Sequence, residues 1–236
     1  MPTINQAMGE TNDTPPLTVY LIRHGETALN AQGRLRGWSN PALNAEGLED
    51  AKEAGEAMAY IPLDHIFVSD LLRAVETAEA VDKAQAKPCK VTVTDDLRPI
   101  NWGTFNGKLL SEVEPKMIAI QKRWKTDPDF PAPAGETWNE FHERQAKVWA
   151  KILKMQGHVA LVAHLRNCIW GMVYALGNGK PVQGQALDLL DRVTQQEGRV
   201  TVITFSRKDG YKILAASTVA PGFSDTAPIL QAKPKS

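Results

Sequence analysis

The stretch LTVYLIRHGET, Leu17–Thr27, decides how this chain is read. Leu17–His24 is β-rich and mostly apolar, the composition of a strand buried inside a sheet. It runs directly into Gly25, so the C-terminal end of the strand delivers Arg23 and His24 to a turn. Pro41–Ile61 follows as a helix, with Leu43, Leu48, Ala51, Ala54 and Met58 on one apolar stripe. His65–Ser69 is a second strand, and Asp70 is placed to cap the helix Leu71–Ala84, whose first turn carries Arg73. Lys90–Thr94 alternates as a third strand. Leu109–Lys125 and Thr137–Met155 read as helices around a proline-rich loop. The fourth strand, His158–Ala163, ends at His164 and precedes a helix over Asn167–Leu176. Late strands over Ala186–Val193 and Arg199–Ser206 close the sheet, with an edge strand at Lys212–Ala216. This order predicts a three-layer α/β/α sandwich with a largely parallel sheet. Ligands of such sheets bind beyond the C-terminal ends of the strands.

The 236 residues divide into a polar leader (1–16), a single α/β domain (17–216) with a helical and loop insert at about 97–135, and a proline-bearing tail (217–236). Lys+Arg and Asp+Glu are both 27, so the chain lacks the basic excess of a general nucleic-acid or anionic-membrane binder. No apolar run approaches the roughly 18 residues of a membrane span. The leader has no basic segment followed by an apolar one, which argues against a signal peptide. The two cysteines, Cys89 and Cys168, stand in unrelated contexts and fit a reducing cytoplasm. A homodimer is the default for a soluble enzyme, although nothing in the sequence names an interface.

The strand ends carry the chemistry. Two of the five histidines, His24 and His164, occupy equivalent positions, with Arg23, Arg73 and Arg166 close by in sequence. Guanidiniums match phosphate oxygens with a planar fork of donors and stay charged. An imidazole among them is pushed towards its neutral, nucleophilic form. A metal centre would place carboxylates, not arginines, beside the histidines, so no metal and no cofactor is expected.

With these residues in view, the chain resembles the histidine phosphatase superfamily, also called the phosphoglycerate mutase-like family. LIRHGET resembles its signature, and ALNAQGRLRG, NPALNAEGLEDA, SDLLRAVETA, AGETWNEF and LVAHLRN resemble its later elements in the right order. The resemblance implies a phosphohistidine formed on His24, phosphoryl oxygens clamped by Arg23 and Arg73, and a pocket completed by His164. It implies no metal and a small phosphorylated substrate. Asn30, Arg36, Arg166 and Trp102 are candidate substrate contacts; the alternatives are a loop tie for Asn30, a solvated surface position for Arg36 and core or loop anchoring for Trp102. Trp38 is a further candidate for the mouth, while Trp138, Trp149 and Trp170 read as core. His65, His142 and His158 read as surface or edge residues.

The chain departs from the family pattern in DDLRPINWGTFNG, where Pro99 stands in the place of the usual general-acid Glu. Three outcomes follow. Another carboxyl, Glu136 or Asp96, serves as acid; the substrate carries a good leaving group; or the protein binds phosphate with little turnover. Arg36 replaces a frequent Gln and Asn40 a usual Asp, which favours an anionic substrate, and Leu165 in place of Gly narrows the entrance. The expected function is a metal-independent phosphatase of a small phosphorylated substrate, with a phosphoryl mutase or a weakly active phosphate-binding protein as alternatives.

Overall fold

Alternation along the first strand builds the layers. In the computed structural model, which describes residues 16–176, 197–198, 200–206 and 210–218, β1 (Leu17–Arg23) is buried throughout. Leu17, Val19 and Leu21 face one apolar cluster, while Tyr20 and Ile22 face another. After the single-turn α1 (Ala28–Ala31), α2 (Ala45–Met58) and α3 (Leu72–Lys83) cover the second cluster, through Ala54, Met58, Ala74, Ala78 and Val81. The first is covered by α4 (Leu110–Trp124), α5 (Trp138–Ile152) and α6 (Leu165–Leu176), whose tryptophans pack in series, Trp124 on Trp138 and Trp149 on Trp170. Each fully buried aliphatic side chain in these layers contributes about 1.5–3 kcal/mol. The architecture is the expected α/β/α sandwich.

The other strands are β2 (His65–Ser69), β3 (Lys90–Thr94), β4 (Gly157–Ala163), β5 (Val200–Ser206) and β6 (Gly210–Thr218). Their order across the sheet is β3-β2-β4-β1-β5-β6. β3, β2, β4 and β1 are parallel, whereas β5 runs antiparallel to β1 with Ile22 opposite Val200. The C-terminal ends of four strands and the start of β5 therefore share one edge of the sheet.

Several boundaries shift for local reasons. The second helix starts at Ala45, not Pro41, because the Asn44 side chain accepts from the Gly47 amide and sets the N-cap there. Leu48 consequently lies outside the apolar stripe, at 57% exposure. Asp70 does not cap α3; Leu71 holds the cap position without a side-chain bond, and Asp70 pairs instead with Arg98. The helix α6 begins at Leu165, not Asn167, so Arg166 belongs to its first turn. The edge strand extends past its expected bounds to Gly210 and Thr218. The expected strand Ala186–Val193 lies outside the described residues, as do the leader except Pro16 and the tail beyond Thr218.

Candidate active site

The parallel register sets the two histidines side by side. Arg23 is opposite Ala163, and the His24 amide continues the ladder by donating to the Ala163 carbonyl at 3.0 Å. The residue after each strand is thus a histidine, and the two rings lie 5.0 Å apart, centroid to centroid, at 62°. The turn after His24 is held tightly. A Cβ on Gly25 or on Gly47 would collide with the backbone of the other segment, so the strand end rests directly on the first turn of α2. The Gly25 amide also donates to Thr77 Oγ1 of α3, 3.1 Å away.

Hydrogen bonding fixes the His24 tautomer. Nδ1 lies 2.7 Å from the Gly25 carbonyl, which can only accept, so Nδ1 carries the hydrogen. Nε2 receives the Arg73 Nε–H at 3.2 Å and presents its lone pair on that side of the ring. Burial, then the Arg73 and Arg23 charges, hold the imidazole well below its ordinary pKa of 6.5, in the neutral form. His164 is also held well below that value, by burial and then by the Arg73 charge and His24. Its Nε2 shares a hydrogen bond of 2.9 Å with Ser69 Oγ at the end of β2, and its buried Nδ1 has no hydrogen-bond partner among the described residues.

Three guanidiniums crowd these rings. Arg73 is almost fully buried and spends its other nitrogens on the Ser39 and Gly37 carbonyls, at 2.8 and 3.0 Å. Burial and the neighbouring Arg36 and Arg23 lower its pKa to about 9. Arg36, expected at the rim, does join the cluster, where burial and the Arg23 charge lower its pKa to about 10. Arg23 pairs with Glu197, whose carboxylate also accepts from Asn30 Nδ2 at 2.8 Å. Clustered cations with so little opposing charge suit a multiply charged anion. Among the described residues, no group of three His, Cys, Asp or Glu side chains stands together to hold a metal ion.

Other candidates sit elsewhere. Asn30 Oδ1 accepts from Thr27 Oγ1 at 2.6 Å within a capping box, so its amide ties the loop to Glu197. Trp102 is 4% exposed and packs on Trp124 in the core, away from solvent. Leu165 packs against the same cluster, which gives it a structural place that the expectation of a narrowed entrance did not foresee. Trp38 is half exposed, donates its indole N–H to the Pro99 carbonyl at 2.8 Å, and lies under the Arg98 guanidinium. Glu136 has both oxygens engaged by Arg144, at 2.7 and 3.1 Å, and accepts from the Asn101 amide at 2.6 Å. His65, expected at the surface or an edge, is buried, stacked on Phe67 and bonded to Thr92; it begins β2, at the end of the sheet opposite Ser69.

A family model described as the histidine phosphatase superfamily (branch 1) matches residues 19–215. The chain belongs to this superfamily. The curated protein "Probable phosphoglycerate mutase GpmB" of Salmonella arizonae is 34% identical over 155 residues, 63% of this chain and 69% of that one. The crystal structure of a phosphoglycerate mutase from Bacillus anthracis matches with a TM-score of 0.68 at 25% identity, covering 88% of this chain and 95% of that chain. The alpha-ribazole phosphatase from Shigella flexneri matches with a TM-score of 0.71 at 21% identity, over 88% and 100%, a likeness of fold. As a histidine phosphatase superfamily member with this His/Arg cluster, the chain is an enzyme of phosphoryl transfer through histidine, acting on a small phosphorylated substrate. No helix among the described residues is long and apolar enough to cross a membrane.

Glu197 was missed by the sequence reading. It precedes an antiparallel strand, and an antiparallel strand brings its beginning, not its end, to the active edge. The late strand at Arg199–Ser206 was legible; its direction was the missing signal.

Proposed function

We propose that this protein is a metal-independent phosphatase that hydrolyses a small anionic phosphate ester through a phosphohistidine on His24 Nε2. The observation that carries the reading is the His24 tautomer: Nδ1–H donates to Gly25, leaving Nε2 as the unprotonated nitrogen, whose lone pair accepts from Arg73 until a phosphoryl group takes that donor. Arg23, Arg73 and Arg36 grip the phosphoryl oxygens and stabilise charge that builds in the transition state. The unmatched Nδ1 of His164 supplies a further contact to those oxygens. Nε2 attacks phosphorus as the ester P–O bond breaks, and water then takes the phosphoryl group from nitrogen. Glu136, bound on both oxygens, acts in this reading by holding the segment around Pro99 through Arg144, and Asp96 is the less favoured of the two as an acid. Arg166 remains a candidate contact in the first turn of α6. The unpaired Cys89 and Cys168, with thiols pushed up by burial to about 11 and about 12, fit a reducing cytoplasm and inert structural roles.

A mutase is the second reading, favoured by the names of the Salmonella and Bacillus proteins. The two readings diverge after the first transfer, when the phosphoryl group goes either to water or back to an organic acceptor. The test is a panel of phosphorylated metabolites and p-nitrophenyl phosphate, assayed with excess chelator beside His24→Ala. Chelator-resistant release of free phosphate, reduced on the order of 10⁴-fold or more in the variant, is the expected result. Full activity of His24→Ala would overturn the histidine route. Label recovered in an organic product, with no free phosphate, would replace the phosphatase with the mutase.

A further inference from the structure

We propose that Glu197 is the general acid that protonates the leaving group, in the role left open by Pro99; this rests on the phosphohistidine reading above. The residue at the family's acid position cannot supply a proton. Pro99 has no ionisable group, and its carbonyl already accepts from Trp38 and Arg144. The nearby carboxylates are committed elsewhere. Glu136 is held by Arg144 and Asn101, Asp70 by Arg98, Glu26 by Asn44, and Asp50 by the Glu26 amide. Glu197 differs from all of them. Among the described residues it is the carboxylate paired with a guanidinium of the His24 cluster, and at 27% side-chain exposure it is only partly covered.

The backbone fixes its place. The Gly198 amide donates to the Arg23 carbonyl at 3.1 Å, and Gly198, at φ +65°, abuts Asp50 where a Cβ would crowd that residue's backbone and side chain. Glu197, three residues ahead of β5, is therefore held beside the last residue of β1, and Asn30 steadies its carboxylate at 2.8 Å. In the ligand-free protein Glu197 is held in its pair with Arg23. A phosphoryl group arriving on Arg23 takes over that guanidinium and sets a like charge beside the carboxylate, and both changes favour the protonated acid. Nε2 of His24 then forms the P–N bond, the P–O bond breaks with its electron pair on the leaving oxygen, and Glu197 gives that oxygen its proton. In the second half the Glu197 carboxylate takes a proton from the attacking water, the new P–O bond forms, and the P–N pair returns to Nε2.

A general acid matters in proportion to the basicity of the leaving group, which a merely structural residue does not. The experiment compares the parent enzyme with Glu197→Gln and Glu197→Asp on phosphate esters running from p-nitrophenyl phosphate to simple alkyl phosphates, with far-UV circular dichroism and thermal melting to confirm folding. Loss of kcat/KM in E197Q should rise along the series, reaching about 10²–10⁴-fold for alkyl esters and far less for p-nitrophenyl phosphate, with partial recovery in E197D. An equal loss across the series would make Glu197 structural and overturn the proposal. A lower KM with unchanged kcat throughout would make it a simple competitor for Arg23, and would overturn it too. Parent enzyme quenched in alkali during turnover of phosphoryl-labelled substrate is probed for label in the same experiment: labelled protein with a flat E197Q profile removes Glu197 alone, whereas turnover without any labelled histidine removes the route on which it depends.

Discussion

Two carboxylate–arginine pairs flank the catalytic edge, and they are built differently. Arg144–Glu136 is enclosed, with side chains 11% and 10% exposed. Arg144 also donates to the carbonyls of Asp96, Arg98 and Pro99, while Gln145 donates to the Asp96 carbonyl as well and Asn167 to that of Leu97. Every donor there has a fixed acceptor. Arg23–Glu197 has a buried guanidinium at 8% exposure and an open carboxylate at 27%. Arg23 is one of three cations around two neutral imidazoles, with Glu197 their contacting counter-charge among the described residues. The first pair is a brace, the second an exchangeable contact. An ion pair whose alternatives are all occupied resists change, while one set in excess positive charge yields to a stronger anion.

Breaking the brace should have the largest effect on stability. Arg144→Ala leaves Glu136 buried without its partner and should cost about 3–5 kcal/mol, read from urea unfolding; a loss below about 1 kcal/mol would show the segment is held by other bonds. On the catalytic side, the proposed clamp predicts that Arg73→Ala, by removing hydrogen-bond donors to the phosphoryl oxygens, lowers kcat/KM by about 10²–10³-fold in steady-state assays.

The neutral histidines give a pH signature with a definite sign. His24 and His164 both have pKa values below 6.5 in the folded protein. As pH falls through 6.5 the unfolded chain takes up protons that the native site refuses, so stability drops in acid and is fully present above 6.5. Each histidine adds a slope approaching about 1.4 kcal/mol per pH unit in that window. Unfolding midpoints measured from pH 7.5 down to 5 check this, and a flat profile would mean the rings protonate freely in the native state. The half-open pair should give a smaller stability change than the brace: Glu197→Gln, whose amide oxygen can still accept from Arg23, is expected to cost about 1–3 kcal/mol, although on the proposed role its effect on turnover of alkyl esters is expected to be larger.

The same contrast marks how far the site was legible in the sequence. Arg23, His24, Arg73 and His164 could be placed because parallel strands repeat one geometry, each ending at the same edge, and β-rich runs are readable from composition. Glu197 could not, because its placement depends on β5 running the opposite way, which no local residue encodes. Asp70 has the composition of a cap, yet Arg98 across the sheet edge takes its carboxylate. Trp102 looked like a mouth residue because it lies in a glycine-flanked loop, but Trp124 from α4 draws it into the core. Local pattern located the strands and helices; long-range partners decided which side chains were free to act.

The central claim is that His24 Nε2 carries the phosphoryl group. Turnover of p-nitrophenyl phosphate, quenched in alkali and mapped by peptide mass spectrometry and phosphorus NMR, tests it directly. The expected product is a single phosphoryl group on Nε2 of His24, stable in base and lost in acid. A phosphoryl group on Nδ1, on His164 or on a hydroxyl, or turnover with no covalent intermediate, would contradict it.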